Sequence, residues 1–404
     1  MHKPGTVIFL ADGMADEPLA QLDGKTPLEY AKTPAMDSIA AEGLCGSLLT
    51  LPEGFPTSSE VANMSVLGCD LQNEYCGRGP IEAAGRNIVL GPQDKAFRLN
   101  LTTVRKGILT DFSGGHPSGE TAAELIASLE KAFGSDCVKF YSGVSYRNLL
   151  VLSGAEYSHK IQADKPDDCQ GDAVSNHFPK AIVPEAETTA GLLVSMIKKA
   201  PEILEASPAN QRLMTEGRVP VNGIWPWSGG GAGSLQSLKD KFGISSAVIS
   251  AVDVIVGLGR CLGMDVISVP GATGYIDTNY EGKADAAVEA VKTKNLVYVH
   301  VEAIDEVSHE QNIEKKIMAI EDFDSRVVAR VLEKTGRNPV NAVVLPDHPV
   351  PVATGKHTRT PVPVAVRLAE RKPDEIKKFS EKECPNGALG LMTDGDLMRL
   401  LFPA

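Results

Sequence analysis

Val7-Ile8-Phe9-Leu10-Ala11 is a continuous apolar, partly β-branched run that stops abruptly at Asp12-Gly13. A short apolar run without polar alternation reads as a strand buried on both faces, which puts Asp12 at the strand's C-terminal end. The pattern returns twice late in the chain: Leu296 to Val301 leads to Asp305, and Ala342 to Leu345 leads to Asp347-His348. Between these strands lie helix signals. Thr33 reads as an N-cap with Pro34 at the first helical position and Gly43 past the end, and Asn312 opens a helix that closes at Gly336. The second helix carries Ile313, Ile317, Ile320, Phe323, Val327, Val328 and Val331, a spacing that lays one apolar stripe on a sheet. Buried strands alternating with such helices predict an α/β fold, a mainly parallel sheet flanked by helices, with ligands gathered at the carboxyl ends of the strands.

From about Asn73 to Pro220 the pattern changes to short strand-like pieces (Ala96 to Leu101, Asn148 to Leu152), scattered turns and a polar loop from Asp164 to Ser175. This predicts a smaller α+β domain, 73–221, inserted into a discontinuous α/β domain made of 1–72 and 222–404. Ala247 to Leu262 reads as an apolar helical run and Asp265 to Val269 as a strand, which marks the return to the α/β pattern. The glycine run Gly229-Gly230-Gly231-Ala232-Gly233 reads as a loop over a site or a hinge. The neighbouring Trp225 and Trp227 are expected at the domain junction.

The 404 residues are 43% hydrophobic and 23% charged, an ordinary globular composition that rules out disorder and a disulfide mini-scaffold. With 40 Lys and Arg against 52 Asp and Glu, the net charge of −12 argues against nucleic acid as a partner, so an anionic substrate must meet a local cationic pocket. The seven cysteines are scattered, with no C-x-x-C pair, and no export signal opens the chain, so a reduced cytoplasmic compartment is expected. The longest apolar stretch, Ile244 to Gly259, is interrupted by Ser245, Ser246, Ser250 and Asp253 and is shorter than the ~20 residues a bilayer needs. No membrane partner is expected.

The three strand ends together supply Asp12, the pair Asp305 and His309, and Asp347 with His348 and His357. Carboxylate and imidazole donors in that number suit two divalent ions of the Mn or Zn kind. A further element is Pro56-Thr57-Ser58-Ser59-Glu60-Val61-Ala62-Asn63-Met64-Ser65-Val66-Leu67-Gly68. It suits a plain capping motif, with Thr57 or Ser58 as N-cap and Glu60 near the third position. It equally suits a serine hydroxyl held at a helix N-terminus, where unpaired amides and the dipole stabilise an alkoxide or a phosphoryl group.

On these residues the chain resembles the cofactor-independent phosphoglycerate mutases of the archaeal type, within the alkaline phosphatase superfamily. The resemblance is carried by Leu10-Ala-Asp-Gly-Met, Gly24-Lys-Thr-Pro-Leu-Glu-Tyr-Ala-Lys-Thr-Pro-Ala-Met-Asp, Gly77-Arg-Gly-Pro-Ile-Glu-Ala, Val269-Pro-Gly-Ala-Thr-Gly-Tyr-Ile-Asp-Thr-Asn-Tyr and the three metal motifs, in that order along the chain. It implies a metal-binding phosphatase-like domain split by a transferase-like substrate domain. It also implies interconversion of 2- and 3-phosphoglycerate in glycolysis without 2,3-bisphosphoglycerate, through a phosphoserine. The cofactors implied are two divalent ions, manganese first, with Zn, Mg or Co as alternatives. Carried over by motif, Asp12, Ser59, Asp347 and His348 hold one ion, and Asp305, His309 and His357 hold the other. Ser59 is the catalytic serine, chosen over Ser58 because the family's serine lies nine positions before the glycine that corresponds to Gly68.

Around that serine the sequence departs from the family form Gly-Ser-Asp-Thr-Ala-His, since Ser58, Glu60 and Asn63 replace glycine, aspartate and histidine. The variant resembles a bacterial branch proposed to be homoserine kinases, so a phosphotransferase acting on homoserine, or a phosphomonoesterase, is the alternative reading. No Walker A sequence is present. A non-catalytic scaffold is the rival of another class. For the small phosphorylated hydroxy-acid substrate, Arg78, Arg98, His116 and Arg147 of the insertion are the candidate binding groups, with Lys283 a weaker one. The oligomeric state is left open by these residues.

Overall fold

A computed structural model describes residues 5–75, 77–233, 235–336, 340–369 and 371–403. The chain divides into two compact units, 1–75 with 235–404, and 76–234. The strands in chain order are β1 (Thr6–Ala11), β2 (Leu44–Leu48), β3 (Asp94–Arg105), β4 (Ile108–Asp111), β5 (Val138–Tyr141), β6 (Arg147–Ser153), β7 (Ile161–Gln162), β8 (Lys180–Ala181) and β9 (Gly223–Gly231), followed by β10 (Ser246–Ile249), β11 (Asp265–Val266), β12 (Leu296–Val301), β13 (Asn341–Leu345), β14 (Val362–Arg367) and β15 (Gly390–Met392).

The discontinuous unit is built on an eight-stranded sheet in the order β11-β10-β12-β1-β13-β14-β2-β15. Its first five strands are parallel, while β14 runs antiparallel to both β13 and β2. This is the α/β architecture expected from the apolar runs. Central β1 pairs on both edges and is covered on both faces, so Val7, Ile8, Phe9 and Leu10 are fully buried. Burial of such side chains stabilises the fold by roughly 1.5–3 kcal/mol each.

The helix signals hold with informative differences. The Asn312 side chain accepts the Lys315 amide at 2.9 Å, a true N-cap. The helical region it opens turns π-helical at Phe323–Val328, which brings Phe323, Asp324, Val327 and Val328 all inside. At Pro34–Ala41, Thr33 makes no side-chain cap. The first amides are instead satisfied from a distance, because Asp324 accepts from Ala35 N at 3.2 Å and Met36 N at 2.7 Å. The run Ala247 to Leu262 is not one helix but β10 followed by the helix Asp253–Cys261. The β-branched Val248 and Ile249 pair with β12, and Ser250-Ala251-Val252 makes the turn.

The inserted unit is antiparallel: β4-β3-β6-β5, with β9 on β3. Helices Gly119–Phe133 and Glu187–Glu205 bury Leu125, Leu129, Leu193 and Met196 with Leu99, Leu101, Leu150 and Leu152 of the sheet. The boundaries differ from 73–221 because β9 pairs with β3 from Gly223 opposite Thr102 to Gly231 opposite Lys95, so residues 222–233 belong to the insertion. Gly229, Gly230 and Gly231 are accordingly strand, not hinge. At Gly229 a Cβ would lie 2.2 Å from the Phe97 ring. The tryptophans also correct an expectation. Trp225 and Trp227 pack inside the insertion with Leu109 and Cys169, their indole N–H groups donating to Asp164 O at 2.9 Å and Asn100 Oδ1 at 3.0 Å. Among the described residues no helix is long and apolar enough to cross a membrane, and six cysteines are free thiols.

Candidate active site

Register decides which residues meet. Ala11 of β1 lies opposite Val301 of β12, and Leu10 lies opposite Leu345 of β13, so the three carboxyl ends are level. Asp12 leaves β1 with its amide on Val301 O at 3.0 Å. Gly13 then turns left-handed (φ +65°), and its amide donates to Asp347 Oδ1 at 3.2 Å. A Cβ there would stand 2.7 Å from Asp305 Oδ1 and 2.8 Å from Asp305 Cα, so glycine is required on two counts.

Asp12, Asp347 and His348 are fully buried and converge. His348 Nε2 lies 3.4 Å from Asp12 Oδ1, 3.4 Å from Asp347 Oδ2 and 3.3 Å from Ser59 Oγ. Ser59 is the first residue of the helix Ser59–Val66. The capping reading is not what forms: Ser58 precedes the helix in extended conformation without a side-chain cap, and its buried Oγ has no hydrogen-bond partner among the described residues. Ser59 therefore presents its hydroxyl to the carboxylates from the positive end of the helix.

The second group is Asp305, His309 and His357. Asp305 and His309 face together because they sit four residues apart on the helix Ala303–His309, with His309 Nε2 3.2 Å from Asp305 Oδ2. His309 Nδ1 is 2.8 Å from Gly355 O, an acceptor that holds the proton on Nδ1 and turns Nε2 to the site. His357 Nε2 is 3.6 Å from Asp305 Oδ1 and 3.0 Å from His309 Nε2, and the His357 ring stacks on His348 at 3.9 Å, so the two groups adjoin. All seven residues expected as metal ligands thus lie in one cluster at the strand ends.

The electrostatics are those of a cation site. Burial, with the Asp347 charge beside it, holds Asp12 well above the usual carboxylate range. Burial likewise pushes Asp347 up to about 7 and Glu302 up to about 8. Burial would raise Asp305 too, but the His309 hydrogen bond and the His357 charge hold it well below its ordinary value. His309 rises to about 9 against its own burial because Asp305 bonds to it, whereas burial drives His348 far down. Among the described residues, buried Asp12 Oδ1, Asp305 Oδ1 and Glu302 Oε2 receive no hydrogen bond from an N–H or hydroxyl group. Buried acceptors left without donors are costly, by ~1–3 kcal/mol each, and a divalent ion would satisfy them.

Sequence reasoning missed four residues. His300 is fully buried, with Nε2 2.9 Å from Asp12 Oδ2 and Nδ1 3.2 Å from Ser250 Oγ, and burial drops it to about 3, so it is neutral and orients Asp12. Its signal was a lone histidine inside an otherwise apolar buried strand. Glu302 follows β12 and joins Asp12 and His300 in a possible ligand group. Asn63 stood out only as a departure from the family form, with no role assigned, and Tyr298 gave no signal, because their roles depend on a contact 235 residues apart in sequence. Lys283 is buried, donates to His300 O at 3.1 Å and is pushed down to about 8 by burial, so it supports the end of β12.

The basic candidates form two groups in the inserted unit. Buried Glu82 gathers Arg78 at 2.8 Å, Arg98 at 3.2 Å and Arg86 at 3.7 Å. Although burial would raise it, these guanidiniums hold the Glu82 carboxyl below its ordinary value. Arg98 is 5% exposed and also lies over Trp227 at 4.6 Å. Arg147 and His116 both meet the Tyr146 ring, at 5.0 Å and 5.2 Å, and both are exposed.

The chain is similar in sequence and in fold to known proteins. Residues 40–210 match the family described as 2,3-bisphosphoglycerate-independent phosphoglycerate mutase. A protein of that name from Methanosarcina acetivorans is 44% identical, over 98% of both chains. One from Geobacter sulfurreducens, named as probable, is 41% identical over 96% of this chain and 97% of its own. Among solved structures, a Pyrococcus horikoshii protein aligns with TM-score 0.84 at 26% identity, covering 99% of this chain and 97% of that one. A cofactor-independent phosphoglycerate mutase from Thermoplasma acidophilum aligns with TM-score 0.69 at 27% identity, covering 99% of both.

Proposed function

Because the chain belongs to the 2,3-bisphosphoglycerate-independent phosphoglycerate mutases, we propose that it interconverts 2- and 3-phosphoglycerate by two successive phosphoryl transfers through Ser59. The observation that carries this reading is the Ser59 hydroxyl itself, placed at a helix N-terminus 3.3 Å from His348 Nε2 among buried carboxylates. Asp12, Ser59, Asp347 and His348 would hold one divalent ion, and Asp305, His309 and His357 the other, with manganese the first candidate. Bound there, the ions neutralise phosphoryl charge and lower the pKa of an attacking hydroxyl.

In the first transfer Ser59 Oγ bonds to phosphorus and loses its proton, while the bond from phosphorus to the glycerate oxygen breaks and that oxygen gains a proton. In the second, the other glycerate hydroxyl bonds to phosphorus and gives up its proton, while the bond from phosphorus to Ser59 Oγ breaks and Oγ regains a proton. The amides at the start of Ser59–Val66 stabilise the phosphoryl oxygens in both steps. His300 holds Asp12, and the His309 ring is held by Gly355 O, so neither side chain must reorganise during transfer. From the inserted unit, Arg78, Arg147 and His116 are the groups proposed for the carboxylate and phosphate of the substrate, matching the bidentate fork of arginine to both anions. Arg98, committed to Glu82 and Trp227, positions Arg78 through their shared carboxylate.

The test is to incubate Mn-loaded protein with 3-phosphoglycerate, without 2,3-bisphosphoglycerate, and to follow 2-phosphoglycerate and free phosphate by ³¹P NMR. Conversion with little free phosphate is the expected outcome. Phosphohomoserine formed only in a parallel sample with ATP and homoserine would overturn the substrate, and free phosphate alone would mean a phosphomonoesterase.

A further inference from the structure

Metal-type donors of a different chemistry lie in the inserted unit, on residues the phosphoryl transfer does not use. The segment between β6 and the helix Glu187–Glu205 carries Asp164, Cys169, Asp172 and His177 within fourteen positions. It is pinned to its own unit: Leu109 N donates to Asp172 O at 2.9 Å, Gly171 N to Leu109 O at 2.8 Å, Val174 N to Gly107 O at 2.9 Å, and the Trp225 indole to Asp164 O at 2.9 Å. Cys169 is 2% exposed, beneath Leu109, Trp225 and Trp227.

On this frame His177 Nδ1 lies 3.5 Å from Cys169 Sγ and 2.7 Å from Asp164 Oδ2, while its other nitrogen, Nε2, lies 3.1 Å from Asp172 Oδ2. A carboxylate oxygen, a thiol sulfur and an imidazole nitrogen thus lie within 4.8 Å of one another. A second carboxylate holds the far side of the ring, the arrangement by which outer partners orient metal-ligating histidines. Burial first, and then the charges of Asp164, Asp168, Asp172 and Asp167, push the Cys169 thiol up to about 11, and its S–H donates to Lys165 O at 3.2 Å, so the thiol keeps its proton until an ion displaces it. A tetrahedral ion bonded at ~2.3 Å to sulfur and ~2.0 Å to nitrogen sets those two atoms about 3.5 Å apart, the separation found. The nitrogen and oxygen need about 3.3 Å by the same geometry. Asp164, partly exposed, has only to withdraw slightly as the ion replaces the Nδ1 proton.

We propose that Asp164 Oδ2, Cys169 Sγ and His177 Nδ1 form a binding site for a zinc-class transition ion, with Asp172 fixing the His177 ring and water completing the shell. The thiolate separates this site in kind from the oxygen and nitrogen donors at the strand ends of the other unit. On binding, the Cys169 thiol and His177 Nδ1 each release a proton, and the ion ties the 154–186 segment together.

The experiment is cobalt(II) titration of the full-length protein after chelator treatment, read by the near-ultraviolet thiolate-to-cobalt absorption that carboxylate and imidazole ligands do not produce. One thiolate-bound cobalt per chain is expected, displaced by zinc and lost in Cys169→Ser. Asp172→Asn, an exposed change that keeps a hydrogen-bonding side chain, is expected to weaken binding about ten- to a hundredfold with an unchanged circular dichroism spectrum. The site is overturned if the folded wild-type protein gives no thiolate band, if the band survives in Cys169→Ser, or if Asp172→Asn binds cobalt as tightly as wild type.

Discussion

Asn63 Nδ2 donates to Asp347 Oδ2 at 2.9 Å, and the Asn63 carbonyl oxygen accepts the Tyr298 hydroxyl at 2.5 Å. The hydroxyl fixes which way the amide faces, so the NH₂ group must point at Asp347 and at Ser59 O, 2.8 Å away. One residue that departs from the family form therefore ties the first turn of the Ser59 helix to a ligand beyond β13. Tyr298→Phe removes only that fixing bond and is expected to lower Mn affinity and kcat about tenfold. Mn titration with steady-state kinetics checks it, and unchanged affinity would remove Tyr298 from the site.

Ser59→Ala is expected to abolish mutase activity, by on the order of 10³-fold or more, and to leave no acid-stable phosphoserine after incubation with substrate. The hydroxyl is small and half-buried, so thermal stability should hardly change. Mass spectrometry of the quenched protein is the direct readout; a variant that kept full turnover would refute the double transfer.

Gly13→Ala combines a left-handed backbone with a collision against Asp305. A loss of about 2 kcal/mol or more in urea unfolding is expected, together with lost activity, because relief of the clash must displace a ligand. Activity that survived with wild-type stability would show that the turn can relax without moving Asp305.

Stability should also depend on pH through Glu381, whose carboxyl accepts the Thr26 hydroxyl at 2.8 Å and the Asp16 amide at 3.1 Å. Burial pushes it from an ordinary 4.5 up to about 7. Across that window the folded chain keeps a proton the unfolded chain has lost, so this group's contribution to stability falls as pH rises, by on the order of 3 kcal/mol in all. Glu381→Gln cannot ionise. It is expected to be more stable than wild type above about pH 8, with the difference fading below about pH 4. Urea midpoints measured across pH test the sign.

Removing divalent ions leaves the buried carboxyls of Asp12, Glu302 and Asp347 to repel one another. Manganese at a hundred times its Kd should stabilise the chain by about 2.7 kcal/mol per site relative to chelator-treated protein, and raise Tm by several degrees. Calorimetry with equal Tm in both states would contradict the metal assignment.

The six carboxylate and imidazole groups proposed as metal ligands were legible because each follows a buried strand or shares its motif, and parallel register forces strand ends into one plane. The Ser59 helix start was visible too, although the choice between a cap and a nucleophile was not, since both demand the same residue types. The insertion was visible as a break in pattern, but its end was misplaced by about a dozen residues, because only the pairing of β9 with β3 assigns Gly223–Gly231 to that unit. Apolar runs and cap residues determined the α/β class by themselves, for they express local preferences of backbone and solvent. Only tertiary structure decided that His300 holds Asp12, that Asp324 caps a helix 288 residues away and that Asn63 faces Asp347. Those bonds join residues with no local relation, and a buried polar side chain becomes meaningful only once folding determines which partner satisfies it.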